Sequence, residues 1–240
     1  MGSRQIYIAV VFAALVTSLP AQAADLYVRS SLTFAGALAA VRPGYEAAKG
    51  DTLHTVASAS DPADLLILQR ANFDPLVKDG KVDQAALTNL AQVKVWFAVK
   101  AGAPVPDIST PDKLKAVLLA AKSIGLSSAA SGQYVSGEVF PKLGIADEVK
   151  AKTKPVTGAV GEAIARGEVE VGFQQMSELL PVKGVKVVGR IPEALQRVTI
   201  VTAGEPKDAK SPDVAARFVA YVRSPAAGAA LKSMDLALAK

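Results

Sequence analysis

The chain has 240 residues, half of them hydrophobic and one fifth charged, with 27 basic residues against 22 acidic ones, one histidine and no cysteine. That content supplies a core for one large or two smaller domains, and the lack of cysteine excludes disulfides, thiol catalysis and thiolate metal sites. The formal charge of +5 sits on scattered side chains such as Lys78, Lys94 and Lys113 without interleaved aromatics; it excludes a nucleic-acid surface and leaves a modest field that attracts small anions.

Arg4, the apolar run Ile6 to Val16 and the triplet Ala21-Gln22-Ala23 predict a secretory signal peptide over residues 1–23. The run is too short to span a bilayer. No cysteine follows for lipid attachment, so the mature chain is expected to be soluble in the periplasm. Asp25 to Val28 predicts a strand, and Phe34, Leu38, Val41 and Tyr45 mark one face of a helix over 34–48 that Gly50 stops. Pro43 is expected to kink or divide that helix. Leu53 to Val56 and Asp64 to Leu68 predict two strands, 72–77 a helical turn, and Val93 to Val99 one apolar strand.

Thr110-Pro111-Asp112 and Ser211-Pro212-Asp213 each supply a hydroxyl cap, a proline at the first helical position and an acid in the first turn. They open helices over 113–121 and 214–222. Further strands are expected at Ser123 to Leu126, Val169 to Phe173, Val185 to Val188 and Val198 to Thr202, with helices at 134–143 and 159–166 between the first three. This alternation predicts an α/β fold of mainly parallel sheets covered on both faces. The sequence has no internal repeat.

Ligands of open α/β sheets bind at the carboxyl ends of strands, where backbone amides and helix N-termini attract anions. Three serine-rich turns are expected at such ends: Ser30-Ser31, Ser58-Ala59-Ser60 and Ser127 to Gly132. Serines also cap helices and turns, so any one of these has a structural reading; three at equivalent places point to a small anion held by neutral donors. No G-x-S-x-G elbow and no metal-ligand spacing is present. His54 falls within a predicted strand, and Gln174-Gln175 follow another, where their amides can donate and accept.

The order of Ser30-Ser31-Leu32-Thr33, Ala57-Ser58, Pro62-Ala63-Asp64-Leu65, Ala101-Gly102-Ala103-Pro104, Leu143 to Val149, Ala165 to Glu168 and Val171 to Gln175 resembles the periplasmic molybdate-binding protein family. These are solute receptors of ABC importers with the type II periplasmic binding fold. The resemblance implies two lobes, residues 24–98 plus 196–240 and residues 99–195, with an anion in the cleft, closure upon binding, and delivery by a monomer to a membrane permease. It implies no cofactor. Ser31 and Ser58 match the ligand-binding serines; the loop at Ser131 and Gly132 and the turn ending at Val160 match positions that supply backbone amides. Gln175 stands where molybdate receptors have tyrosine, which opens the ligand to other oxyanions or a small carboxylate.

Some proteins similar to this family are cofactor-free isomerases of unsaturated tricarboxylates, such as aconitate isomerase. That chemistry needs a base, for which Glu178, His54 and Tyr134 are candidates. Related chains also carry a helix between the Ala-Ser turn and the Pro-Ala-Asp strand, whereas only Ala57 to Ala63 are available here. Parallel strands normally need a crossover of about a dozen residues. Seven span at most about 25 Å, so either Ser58 faces a cleft lacking one wall or the strand Leu53 to Val56 is displaced.

Overall fold

The computed structural model describes residues 23–239, and the expected signal peptide lies outside the described residues. Strand β1 (Asp25–Ser30) buries Leu26 and Val28 and exposes Asp25 and Tyr27, the alternation of a half-covered strand. It leads into helix α1 (Leu32–Lys49), which buries Phe34, Leu38, Val41 and Tyr45. Gly50, at φ 75°, adopts the left-handed conformation that closes the helix onto Glu46. Pro43 does not divide α1. It lies on the exposed face together with Ala39, whose carbonyl loses its helical donor but stays within reach of water.

The chain continues through β2 (Thr52–Thr55), β3 (Leu65–Gln69), the short α2 (Phe73–Lys78) and β4 (Thr88–Val93). The single strand expected over Val93 to Val99 is in fact two. At Lys94 the chain leaves the first sheet, and β5 (Val95–Lys100) belongs to the second. Residues 95–98, expected in the first lobe, therefore pair with the second. No local feature marks the break, since burial alternates straight through it, at 91, 93, 95 and 97.

The second lobe adds α3 (Pro111–Ala120), where the Thr110 hydroxyl accepts from the Lys113 N–H at 3.3 Å, and β6 (Ile124–Ser127). A helical stretch follows as α4 (Ala130–Tyr134), one π-helical turn (Val135–Val139) and α5 (Phe140–Leu143). Then come α6 (Ala146–Lys150), β7 (Thr153–Val156), α7 (Val160–Arg166), β8 (Val171–Gln175), α8 (Met176–Leu179) and β9 (Val185–Arg190). The return to the first lobe is β10 (Thr199–Gly204), α9 (Pro212–Val222), α10 (Pro225–Ser233) and β11 (Ala237–Leu238). Ser211 precedes α9 as expected, but its hydroxyl makes no capping bond; its N–H and that of Lys210 donate to Asp64 instead.

The six-stranded sheet has the order β11-β4-β10-β3-β1-β2 and the five-stranded sheet β7-β6-β8-β5-β9. In each, a parallel trio, β2-β1-β3 or β7-β6-β8, is flanked by antiparallel strands that carry the chain between lobes. The molecule is thus a two-lobed α/β protein of the type II periplasmic binding fold, its sheets mixed and not mainly parallel as expected, because the strands that cross between the lobes run antiparallel to each trio. Each lobe has its own core, one around Phe34, Tyr45 and Phe218, the other around Phe97, Phe140 and Phe173. Where the lobes join, the Gln196 side chain accepts from the Val95 N–H at 3.1 Å and donates to the Val95 carbonyl at 2.8 Å, tying one crossing segment to the other.

The short crossover is explained by register. Val28 of β1 is aligned with Thr55, the last residue of β2, and with Leu65, the first residue of β3. Since β3 starts at the level where β2 stops, the chain never runs back along a strand. It only steps sideways over β1, two strand spacings or about 10 Å. Of the two alternatives open in the sequence, displacement of β2 is the one realised.

Candidate functional site

Ser31 follows β1 and is the residue before the first turn of α1. Its N–H donates to the Ile67 carbonyl at 2.9 Å, and its carbonyl accepts from the N–H groups of Phe34 and Ala35. Its hydroxyl makes no capping bond, and Oγ is buried without a partner. A serine here that does not cap is available for something else. The opposite wall begins where β6 ends. Ser127 Oγ accepts from the Ala129 N–H at 3.1 Å, and a Cβ on Gly132 would lie 1.8 Å from the Ser127 carbonyl oxygen. Only glycine lets α4 begin this close to the strand end, which carries Ser131 to the cleft.

The floor comes from β8 and α8. Gln174 and Gln175 are the last two residues of β8 and are buried within it, not placed after it as the sequence suggested. Gln175 is 2% exposed, and its Oε1 has no partner. Ser31, Ser131, Gln175 and Glu178, with Thr33 and Gln69, line a cavity of about 320 Å³ between the lobes. That volume is at the small end for ligand sites.

Glu178 is the one ionisable side chain in this lining among the described residues. Thr33 Oγ1 donates to its Oε1 at 3.0 Å, and Gln174 Nε2 donates to its Oε2. Behind these, Gln69 Nε2 donates to Thr33 Oγ1 at 3.2 Å and the Val160 N–H donates to Gln174 Oε1 at 2.8 Å. Gln174 Nε2 also donates to the Gly158 carbonyl at 3.4 Å. Burial raises the Glu178 pKa to about 7, and the bonds from Thr33 and Gln174 pull it back only in part.

Ser31, Ser131 and Gln175 are thus brought together, and three other sequence candidates are not. Gly132 acts behind the wall as a spacer. Val160 has its amide occupied by Gln174, so it has no N–H to offer a ligand. Ser58 is exposed in the crossover, outside the cleft lining, with its hydroxyl 2.7 Å from that of Ser60. The stagger between β2 and β3 ends β2 level with Val28, short of the strand ends that form the cleft, and Ser58 follows it in the crossover. Of the candidate bases, His54 pairs with Asp25 at 2.8 Å and stacks on Tyr27, while Tyr134 donates to the Leu195 carbonyl at 2.6 Å. Only Glu178 reaches the cleft. Thr33 and Gln69 were missed; Thr33 stood in the quoted Ser30-Ser31-Leu32-Thr33, but nothing local marks a threonine inside a helix as polar lining.

A larger cavity of about 920 Å³ lies beside the helix-free crossover, against Tyr27 and His54. Asp25, Asp61, Asp64 and Asp208 line it against a single lysine, Lys210, so its charge suits an anion poorly.

A family model described as bacterial extracellular solute-binding protein matches residues 26–234. An aconitate isomerase from Pseudomonas sp. is 34% identical over 244 residues, covering 93% of each chain. Among solved structures, the periplasmic molybdate-binding protein of Azotobacter vinelandii has a TM-score of 0.72 at 18% identity, covering 90% of this chain and 100% of that one. Peb3 of Campylobacter jejuni, in its L-phospholactate-bound form, has a TM-score of 0.69 at 16% identity, covering 88% and 99%. The matched span runs from β1 to the end of α10 and takes in both lobes and the cleft, so this chain belongs to the bacterial extracellular solute-binding protein family.

Proposed function

We propose that the protein is a periplasmic receptor for a small anion, held between Ser31 and Ser131 over Gln175, and that an ABC permease in the inner membrane receives the solute from it. The observation that carries this reading is the pair of buried, unpartnered polar atoms, Ser31 Oγ and Gln175 Oε1, that line one cavity. Buried polar groups without partners are costly, and a ligand that satisfies both recovers that cost. Small carboxylates come ahead of molybdate. Gln175 Oε1 is an unpartnered acceptor, and a carboxylate ligand that carries a hydroxyl or keeps one carboxyl protonated brings it a donor, which a fully deprotonated tetrahedral dianion lacks.

The test is a thermal-shift screen of the chain from Ala24 against molybdate, tungstate, sulfate, phosphate, citrate and both aconitates at fixed ionic strength. A ligand that binds only the folded state raises the melting temperature. Stabilisation by a carboxylate supports the reading, stabilisation by molybdate alone reverses the order of ligands, and no shift with any anion sinks it.

A second reading is a cofactor-free isomerase of a small tricarboxylate acting in the same cleft. Two observations favour it: the 34% identity to an aconitate isomerase across nearly the whole chain, and an ionisable group in the cleft lining.

A further inference from the structure

We propose that Glu178 is the proton-transfer base of the cleft, moving a proton between the two arms of a bound unsaturated tricarboxylate. The proposal rests on the isomerase reading and adds the group and the step. Glu178 Oε takes a proton from the methylene carbon beside a carboxylate, breaking that C–H bond. Its electron pair forms the new C=C bond, while the old C=C pair moves onto the former vinyl carbon and is spread over the carboxylate there. The same glutamic acid then returns the proton to that carbon. The two arms have exchanged roles, and the rotamer in which the cleft holds the single bond between the methylene and central carbons of the bound substrate sets the geometry of the new double bond. No electrons are gained or lost, and no co-reactant is consumed.

The geometry fits this task in three ways. First, both carboxylate oxygens accept a bond from a neutral donor, Thr33 and Gln174, so the group is oriented without a cation to hold it permanently ionised. Second, the charged or titratable residues on the elements packed against α8 are Arg42, Tyr45, Glu46 and Lys49 on α1, Lys100 on β5, Glu162 and Arg166 on α7, and Lys186 and Arg190 on β9, and none of them lines the cleft. Third, the two donors come from different lobes, α1 and β8, so the base is fixed only while the lobes stand in this arrangement. A group poised near neutrality can both take and return a proton, and burial brings Glu178 to about 7.

The experiment follows trans-aconitate by proton NMR in deuterated buffer with the chain from Ala24, its Glu178→Gln and Thr33→Val variants, and a melting curve of each with the ligand. The expected result is deuterium incorporation and cis-isomer formation by the wild type, with a rate that rises as Glu178 ionises around pH 7. Glu178→Gln is expected to bind trans-aconitate within a few-fold of the wild type while losing at least about a hundredfold in exchange, the scale of a lost general base. Thr33→Val removes a bond that lowers the Glu178 pKa, so its pH profile moves upward; Thr33 is a positioning residue, and a purely structural role would leave the profile in place. If the wild type exchanges and Glu178→Gln stays within tenfold of it, Glu178 is not the base although the isomerase reading stands. If the wild type binds trans-aconitate and neither labels it nor forms the cis isomer, the isomerase reading and this proposal fall together, and the receptor remains.

Discussion

The two lobes contain the same three-strand unit, β2-β1-β3 in one and β7-β6-β8 in the other, yet connect it differently. In the second lobe Ile124 is aligned with Thr153 and also with Val171, so β7 and β8 begin at one level. The chain must run back along the sheet, and α7 fills that return. In the first lobe β3 begins where β2 ends, and nothing has to be retraced. A crossover helix is therefore a consequence of register, and losing one costs the fold little when a strand slides along its neighbour. It does cost the site a contribution. The second lobe brings Gln174, buttressed by the first amide of α7, against Glu178 behind the cleft lining, while the first lobe leaves Ser58 outside and relies on Ser31, Thr33 and Gln69.

The largest test of this comparison is Gly132→Ala in the lobe with the complete crossover. The added Cβ meets backbone at 1.8 Å, which no side-chain rotation relieves, so a loss of more than about 3 kcal/mol is expected. A two-transition melt with only the second lobe shifted would locate the damage, and an unchanged melting curve would mean that α4 can retreat freely from β6.

Glu178 gives a stability effect with a defined pH window. Its folded pKa, about 7, lies above the ordinary glutamate value of about 4.5, so between those pH values the folded state keeps a proton that the unfolded state has lost. Wild-type stability therefore falls as pH rises through that range. Glu178→Gln carries no such penalty, and its stability relative to wild type should grow by about 3 kcal/mol from pH 4.5 to above 7. Denaturant midpoints at the two ends of the range measure it; a constant difference would place the carboxyl group in contact with water.

A smaller effect is expected from Asp64→Ala at the end of the helix-free crossover. Asp64 accepts from three backbone N–H groups, those of Tyr27, Lys210 and Ser211, and so pins the crossover to the segment before α9. Leaving them unpaired should cost about 2 kcal/mol, read in the first lobe's transition. Smallest is the pair Ser31→Ala and Ser58→Ala on anion affinity, by calorimetry with whichever anion the thermal screen identifies. Ser31→Ala should weaken binding by about 1 kcal/mol and Ser58→Ala by less than about 0.5. Equal losses would mean that the crossover folds over the bound ligand.

Much of the fold could be read locally. The Thr110-Pro111-Asp112 start of α3, the buried face of α1 and the glycine stop at Gly50 are decided by residues within a turn or two of one another. The site was legible in part. Ser31, Ser131 and Gln175, expected at strand ends, line one cavity, and Glu178, a candidate base, lines it with them. Ser58 was misplaced because its neighbours look like those of Ser31, and the sequence does not carry the stagger of β3. Val160 was misassigned because the acceptor that occupies its amide, Gln174, lies on the next strand.

What the sequence alone determined is the alternation of strands and helices, the serine turns at their ends, and the absence of any thiol, since each depends on composition or near neighbours. Tertiary structure decided the rest. The switch of sheets at Lys94 and the register at Val28 are pairings between strands far apart in the chain. The character of Glu178 comes from Thr33, 145 residues away, and from burial between two lobes. Local residues set backbone preference, but desolvation and hydrogen-bond satisfaction belong to surfaces that only the folded chain brings together.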